Sequence, residues 1–155
     1  MARCLVVALT LWAGAALAQA EYIGSYTWND GAEAFGGFSG IEVFDGGARM
    51  VTISDRGWIA QGRLTRDGDQ ITGVADLVLT PIQDQTGDTL PRYFDDSEGL
   101  ARAADGGLYI SFEGNHRVAF YPEAEGPSQP LPRHPDFEGM QNNSSLEALA
   151  IDADG

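Results

Sequence analysis

Four carboxylates and two arginines stand where they could act together. Glu98 and Glu147 lie at the same distance ahead of an Asp-Gly pair, and Ser39 is the non-acidic counterpart in an earlier copy of the pattern. Asp55 and Glu113 each follow a later apolar run, with Arg56 and Arg117 close by in sequence. Carboxylates that converge repel one another unless a cation or an arginine sits among them. A divalent cation there would polarise a phosphoryl or carbonyl oxygen and lower the pKa of a bound water. Arginine would hold a phosphate by paired hydrogen bonds. Asp55, Glu98, Glu113 and Glu147 are therefore the candidate catalytic groups, Glu98 and Glu147 the candidate metal ligands, and Arg56 and Arg117 the candidate substrate holders. Each also has a structural reading: a Glu ahead of a strand can accept backbone N–H groups, and an Asp-Arg pair can lock a turn.

A repeated hairpin must position these groups. Ser97-Glu98-Gly99-Leu100-Ala101 leads to Asp105-Gly106-Gly107 and then to Leu108-Tyr109-Ile110. Leu146-Glu147-Ala148-Leu149-Ala150 leads to Asp154-Gly155, and Phe38-Ser39-Gly40-Ile41 leads, one residue shorter, to Asp45-Gly46-Gly47. An Asp-Gly pair between apolar runs is a strong hairpin signal. Copies recur every fifty to sixty residues or so, near the period of a β-propeller blade. In a propeller the first strand of each blade lines the central channel, which would bring equivalent side chains to one mouth.

The expected fold class is all-β: a β-propeller of about two and a half four-stranded antiparallel blades, incomplete. Expected strands are Tyr22 to Trp28, Ile41 to Phe44, Arg49 to Ser54, Trp58 to Leu64 and Ile71 to Leu79, followed by Glu98 to Arg102, Leu108 to Phe112 and Arg117 to Tyr121. Residues 81–96 read as a polar crossing loop. Pro122 to Pro135 holds five of the seven prolines and reads as a surface connection without a strand. Asn142 to Asp152 reads as the opening of a third blade. No sustained helical periodicity is present.

The first residues read as a secretory signal, residues 1–20: Arg3, an apolar stretch from Leu5 to Leu17, and the small-x-small site Ala18-Gln19-Ala20. The expected mature chain, residues 21–155, is exported to the periplasm or beyond and carries no transmembrane segment. It reads as the N-terminal part of a longer propeller, since the chain stops in a hairpin turn. The sole cysteine, Cys4, lies in the signal, so no disulfide framework is expected. Every basic residue is arginine, and nine of them face 23 acidic residues for a net charge of −14. That balance argues against nucleic acid and anionic membranes, and favours cations such as Ca²⁺. Acidity also simply keeps an exported protein soluble.

Together these motifs resemble the phytase-like, or esterase-like, β-propellers of exported bacterial proteins. The resemblance rests on Phe38-Ser39-Gly40-Ile41 followed by Ile53-Ser54-Asp55-Arg56-Gly57, then Asp96-Ser97-Glu98-Gly99-Leu100-Ala101. It continues through Ser111-Phe112-Glu113-Gly114 and Arg117-Val118 to Asn142-Asn143 and Leu146-Glu147-Ala148-Leu149, with Pro81-Ile82-Gln83-Asp84 through Gly87 as the connection between blades. It implies a six-bladed or similar propeller of about twice this length, and its name implies hydrolysis of ester or phosphate-ester substrates.

Other chemistry has thinner support. Gly37-Phe38-Ser39-Gly40-Ile41 nearly spells a nucleophile elbow, but Ile replaces the last glycine and no helix follows. His116 and His134 read as exposed loop histidines. Asn142-Asn143-Ser144 and Asn143-Ser144-Ser145 fit a glycosylation sequon, and Asp152-Ala153-Asp154-Gly155 reads more simply as a turn than as a calcium loop. The expectation is a metal-assisted hydrolase of small ester or phosphate-ester molecules with a divalent cation, calcium. A non-catalytic binding propeller and a calcium-dependent lactonase propeller are the alternatives.

Overall fold

A computed structural model of the chain describes residues 20–141 and 144–152. The expected signal segment up to residue 19, most of the sequon and the last Asp-Gly pair lie outside the described residues. Eight strands form two sheets, each antiparallel and in simple sequential order. The first holds β1 (Phe38–Phe44), β2 (Arg49–Ser54), β3 (Trp58–Asp67) and β4 (Gln70–Pro81). The second holds β5 (Ser97–Arg102), β6 (Leu108–Phe112), β7 (Arg117–Tyr121) and β8 (Gln129–Pro130). Among the described residues no helix is long and apolar enough to cross a membrane.

The Asp-Gly pairs build their turns as their chemistry dictates. Between β1 and β2, Asp45, Gly46 and Gly47 all take positive φ, at 53°, 65° and 89°, which glycine and aspartate tolerate best. The β5–β6 turn closes through Ala103 N–H donating to the Gly107 carbonyl, 2.8 Å.

Alternation along β2, β3 and β6 supplies one apolar core. Val51, Ile53 and Ile59 from the first sheet meet Leu100, Leu108, Ile110, Phe112 and Tyr121 from the second, all buried. Strands β1 and β2 pack on β5, so the two leading strands are neighbours. The close approach needs glycine: a methyl group at Gly40 would sit 2.9 Å from Leu100 Cβ and 3.1 Å from the Leu100 backbone nitrogen. The same relation recurs one copy later, where a methyl group at Gly99 would sit 2.8 Å from the Leu149 nitrogen. Successive copies of the hairpin motif are thus laid side by side in one repeated register.

Three expectations fail locally. Residues 22–28 form no strand: Tyr22 and Ile23 are exposed and no neighbouring strand is in register with them. Trp28 instead stacks on Phe38 at 4.9 Å and 6°, covering the start of β1. The proline-rich connection does contain a strand, β8, paired to the edge of β7 through Ala119–Pro130 and Phe120–Gln129. An edge strand tolerates proline because its outer side needs no donor. Residues 146–150 form no ladder strand, for no partner strand stands beside them among the described residues. Gly99 of β5 nevertheless approaches the Leu149 backbone as Gly40 of β1 approaches Leu100.

Candidate metal and hydrolytic site

Both leading strands carry a β-bulge at the same point. In β1 the register shifts between Phe38 and Gly40, and in β5 between Ser97 and Leu100. A bulge inserts a residue and re-aims its side chain. Ser39 occupies the bulge of β1 and donates its hydroxyl to the Ser97 carbonyl, 2.6 Å. Glu98 occupies the bulge of β5, so the repeat equates Ser39 with Glu98. Beside each bulge one backbone bond closes the next strand: Asp55 N–H to the Gly37 carbonyl, 2.8 Å, and Glu113 N–H to the Asp96 carbonyl, 2.9 Å. That pairing equates Asp55 with Glu113 and Gly37 with Asp96.

Asp96, Glu98 and Glu113 converge, with one carboxylate oxygen from each lying within 4.8 Å of the others. Glu113 is buried, and Asp96 and Glu98 are half-buried. Burial first, then the charges of Asp96, Glu147, Glu113 and Asp55, push the Glu98 carboxyl up to about 7. Burial, Glu113, Asp55 and Asp95 likewise raise Asp96, against a small opposing effect of Arg92. Six carboxylates, Asp55, Asp95, Asp96, Glu98, Glu113 and Glu147, therefore share this neighbourhood, with Arg92 the one cation opposing them at Asp96. A group of hard oxygen donors this close suits a cation such as Ca²⁺, which binds carboxylate oxygens in flexible geometry.

Of the residues singled out in sequence, Glu98 and Glu113 are in the compact trio. Glu147 is exposed and stands outside it, though its charge reaches Glu98. Asp55 acts on Glu98 and Asp96 from the neighbouring repeat, with Arg56 Nε 3.9 Å from its own carboxylate. Arg117 points elsewhere: it donates to the Phe94 carbonyl at 2.6 Å and to the Asn115 carbonyl at 3.2 Å, and lies 3.8 Å over the Phe112 ring. Glu113 has a structural use as well, since one of its oxygens accepts the Ser145 backbone N–H at 2.9 Å.

Asp96 is the group that sequence reasoning missed. Its counterpart in the first copy is Gly37, so no like residue marks the position; only the bulge register identifies it. His116 departs from expectation in another way, being buried at 5% exposure with its Nε2 unpartnered among the described residues, while His134 is exposed and accepts the Asp136 N–H. In the turn that carries His116, residues 113–116, Gly114 lies close against the Tyr93 carbonyl. Ser39 lies in a strand bulge with its hydroxyl committed to Ser97, not on a strand–turn–helix elbow.

The family model Phytase-like, described as esterase-like activity of phytase, matches residues 33–155. No curated protein and no solved structure matches the chain. The matched span covers both sheets and the acidic trio, and the chain belongs to the phytase-like family.

Proposed function

We propose that this member of the phytase-like family is an exported, metal-assisted hydrolase of ester or phosphate-ester bonds. The observation that carries this reading is the trio Asp96, Glu98 and Glu113, whose oxygens lie within 4.8 Å of one another at a paired set of bulges. The two sheets are two blades of a propeller, and the repeated glycine contact between leading strands supports their arrangement around one axis. On this reading the trio holds a divalent cation, calcium by its all-oxygen donors, with Glu147 and Asp55 at the rim. When bound, such an ion supplies Lewis-acid polarisation of the scissile group and a more acidic water.

The chain's own residues do the rest. Glu113 is held by the Ser145 backbone N–H, which orients its carboxylate in the trio. Glu98, raised to about 7 by burial and neighbouring carboxylates in the free protein, would give up its proton on ligating the cation. Arg56, half-exposed beside Asp55, is placed to meet an anionic oxygen of a substrate. The protein acts on small molecules in the periplasm or outside the cell, after removal of residues 1–20.

The test is hydrolysis of p-nitrophenyl phosphate, p-nitrophenyl acetate and a sugar lactone, with Ca²⁺ or with EDTA. Calcium-dependent turnover of either nitrophenyl ester that is lost in Glu98→Gln supports the reading. Turnover of the lactone alone would assign the site to lactonase chemistry. No turnover and no metal-dependent melting shift would favour a binding propeller. N-terminal sequencing of the secreted protein should begin at Glu21, and retention of residues 1–20 would overturn export by cleavage.

A further inference from the structure

Apart from the acidic trio, the second sheet carries a cleft of different chemistry. It is a cleft of about 330 Å³ between the 84–94 loop and the start of β7. Leu90, Pro91 and the Phe94 ring form an apolar wall, while Arg117, Asn115 and Ser128 present polar groups to the same space. Phe94 is 40% exposed, and its ring meets the Tyr93 ring edge-to-face at 5.6 Å.

Arg117 sets the charge of this cleft. Burial lowers its pKa, yet among the described residues it makes no ion pair with a carboxylate. Two of its donors hold the Phe94 and Asn115 carbonyls, and a guanidinium has five. The carboxylate that shares the cleft, Asp84, is turned to its own loop: Oδ1 accepts from Thr86 N, Thr86 Oγ1 and Asp88 N. A half-buried cation next to an exposed aromatic wall suits a flat ring that carries an anionic group. The ring would pack on Phe94 and the anion would take the remaining guanidinium donors.

We propose that this cleft binds an aromatic anion, a ring bearing one carboxylate or phosphate. Two short chain segments tie it to the trio. Phe94 and Asp96 are two residues apart, and so are Glu113 and Asn115, which limits each Cα separation to about 7 Å. That the occupant is the non-reacting part of an ester substrate rests on the hydrolase reading; the binding itself does not.

The test is calorimetric titration of the full chain in EDTA with benzoate, phenyl phosphate, acetate, inorganic phosphate and benzyl alcohol. Benzoate should bind about tenfold or more tightly than either acetate or benzyl alcohol. Phenyl phosphate exceeding benzoate would assign the anion as phosphate, and the reverse order as carboxylate. Phe94→Ala should reduce benzoate to the level of acetate. Asp84→Asn should tighten benzoate by about threefold while leaving benzyl alcohol unchanged, because it removes a nearby like charge. Arg117→Gln should make benzoate and benzyl alcohol equal, with its melting temperature checked because this side chain also braces Phe94. Equal affinities for benzoate and acetate in the wild type, or an unchanged preference in Phe94→Ala, would overturn the proposal. Since EDTA is present throughout, loss of metal-dependent hydrolysis with retained benzoate binding would sink only the hydrolase reading.

Discussion

Glu113 accepts the backbone N–H of Ser145 at 2.9 Å, and this bond joins the second sheet to the segment that carries Glu147. The same carboxylate contributes an oxygen to the trio with Asp96 and Glu98. One side chain therefore both anchors the next copy of the repeat and faces the site. Ser111 reinforces the junction by donating its hydroxyl to the Leu146 carbonyl, 2.7 Å. The charge state of the site is thus coupled to how residues 145–149 are held.

Separating those two roles takes a pair of substitutions. Glu113→Gln keeps an oxygen for Ser145 but removes the charge, whereas Glu113→Ala removes both. The glutamine variant should lose calcium binding, measured by calorimetry, with a nearly normal melting temperature. The alanine variant should lose both, costing about 1 kcal/mol from the lost hydrogen bond to the half-buried Ser145 N–H. Intact calcium binding in Glu113→Gln would remove it from the ligand set.

Glu98 should make stability depend on pH. Its carboxyl ordinarily titrates near 4.5 and is raised to about 7 in the folded chain. The folded state therefore binds the proton more tightly, so the contribution is fully present below about pH 4.5 and is lost as pH rises through about 7. Glu98→Gln should flatten this part of the profile, melting higher than wild type at about pH 8 and showing little difference at about pH 4.5. Parallel profiles for the two proteins would contradict the clustering of charge around Glu98.

Calcium should act in the same window. Adding it should raise the melting temperature more at about pH 8 than at about pH 5, because the ionised trio binds the cation and the protonated one does not. EDTA should reverse the shift. A calcium effect of equal size at both pH values, followed by thermal denaturation, would point to a site other than the trio.

The repeated contact between leading strands can be broken by one methyl group. Gly99→Ala would place Cβ 2.8 Å from the Leu149 nitrogen and against the Ser111 hydroxyl. Overpacking of this kind costs about 1–3 kcal/mol. Gly40→Ala, 2.9 Å from Leu100 Cβ, should behave alike. A stability change under 0.5 kcal/mol or so in both, by urea denaturation, would show that the strands part easily there.

Ser97 tests the seam between the sheets. Its fully buried hydroxyl donates to the Ser54 carbonyl at 2.8 Å, while its own carbonyl accepts from Ser39. Ser97→Ala should cost about 1–2 kcal/mol by leaving a buried carbonyl with one partner fewer. Chemical denaturation measures it, and an unchanged midpoint would assign the seam to apolar packing alone.

Much of the architecture was legible before any coordinates. Leu108–Phe112 and Arg117–Tyr121 appear at their expected bounds, because alternating apolar residues between turn formers leave few other choices. The equivalence of Ser39 with Glu98 also follows from the local pattern Ser39-Gly40-Ile41 against Glu98-Gly99-Leu100, each ahead of an Asp-Gly turn. Tertiary contacts settled what local patterns could not. Residues 22–28 have strand-like alternation but find no partner, and Gln129–Pro130 has proline but finds one, since pairing depends on what lies alongside. Asp96 joins the site through a bulge and a backbone bond that no residue type announces, and Arg117 turns from the acids to the Phe94 carbonyl. His116 is buried in a turn whose Gly114 meets the Tyr93 carbonyl, a contact between segments more than twenty positions apart. Alternation and turn chemistry are written residue by residue, whereas burial, convergence of charge and the raised Glu98 carboxyl come from distances that exist only after the sheets have packed.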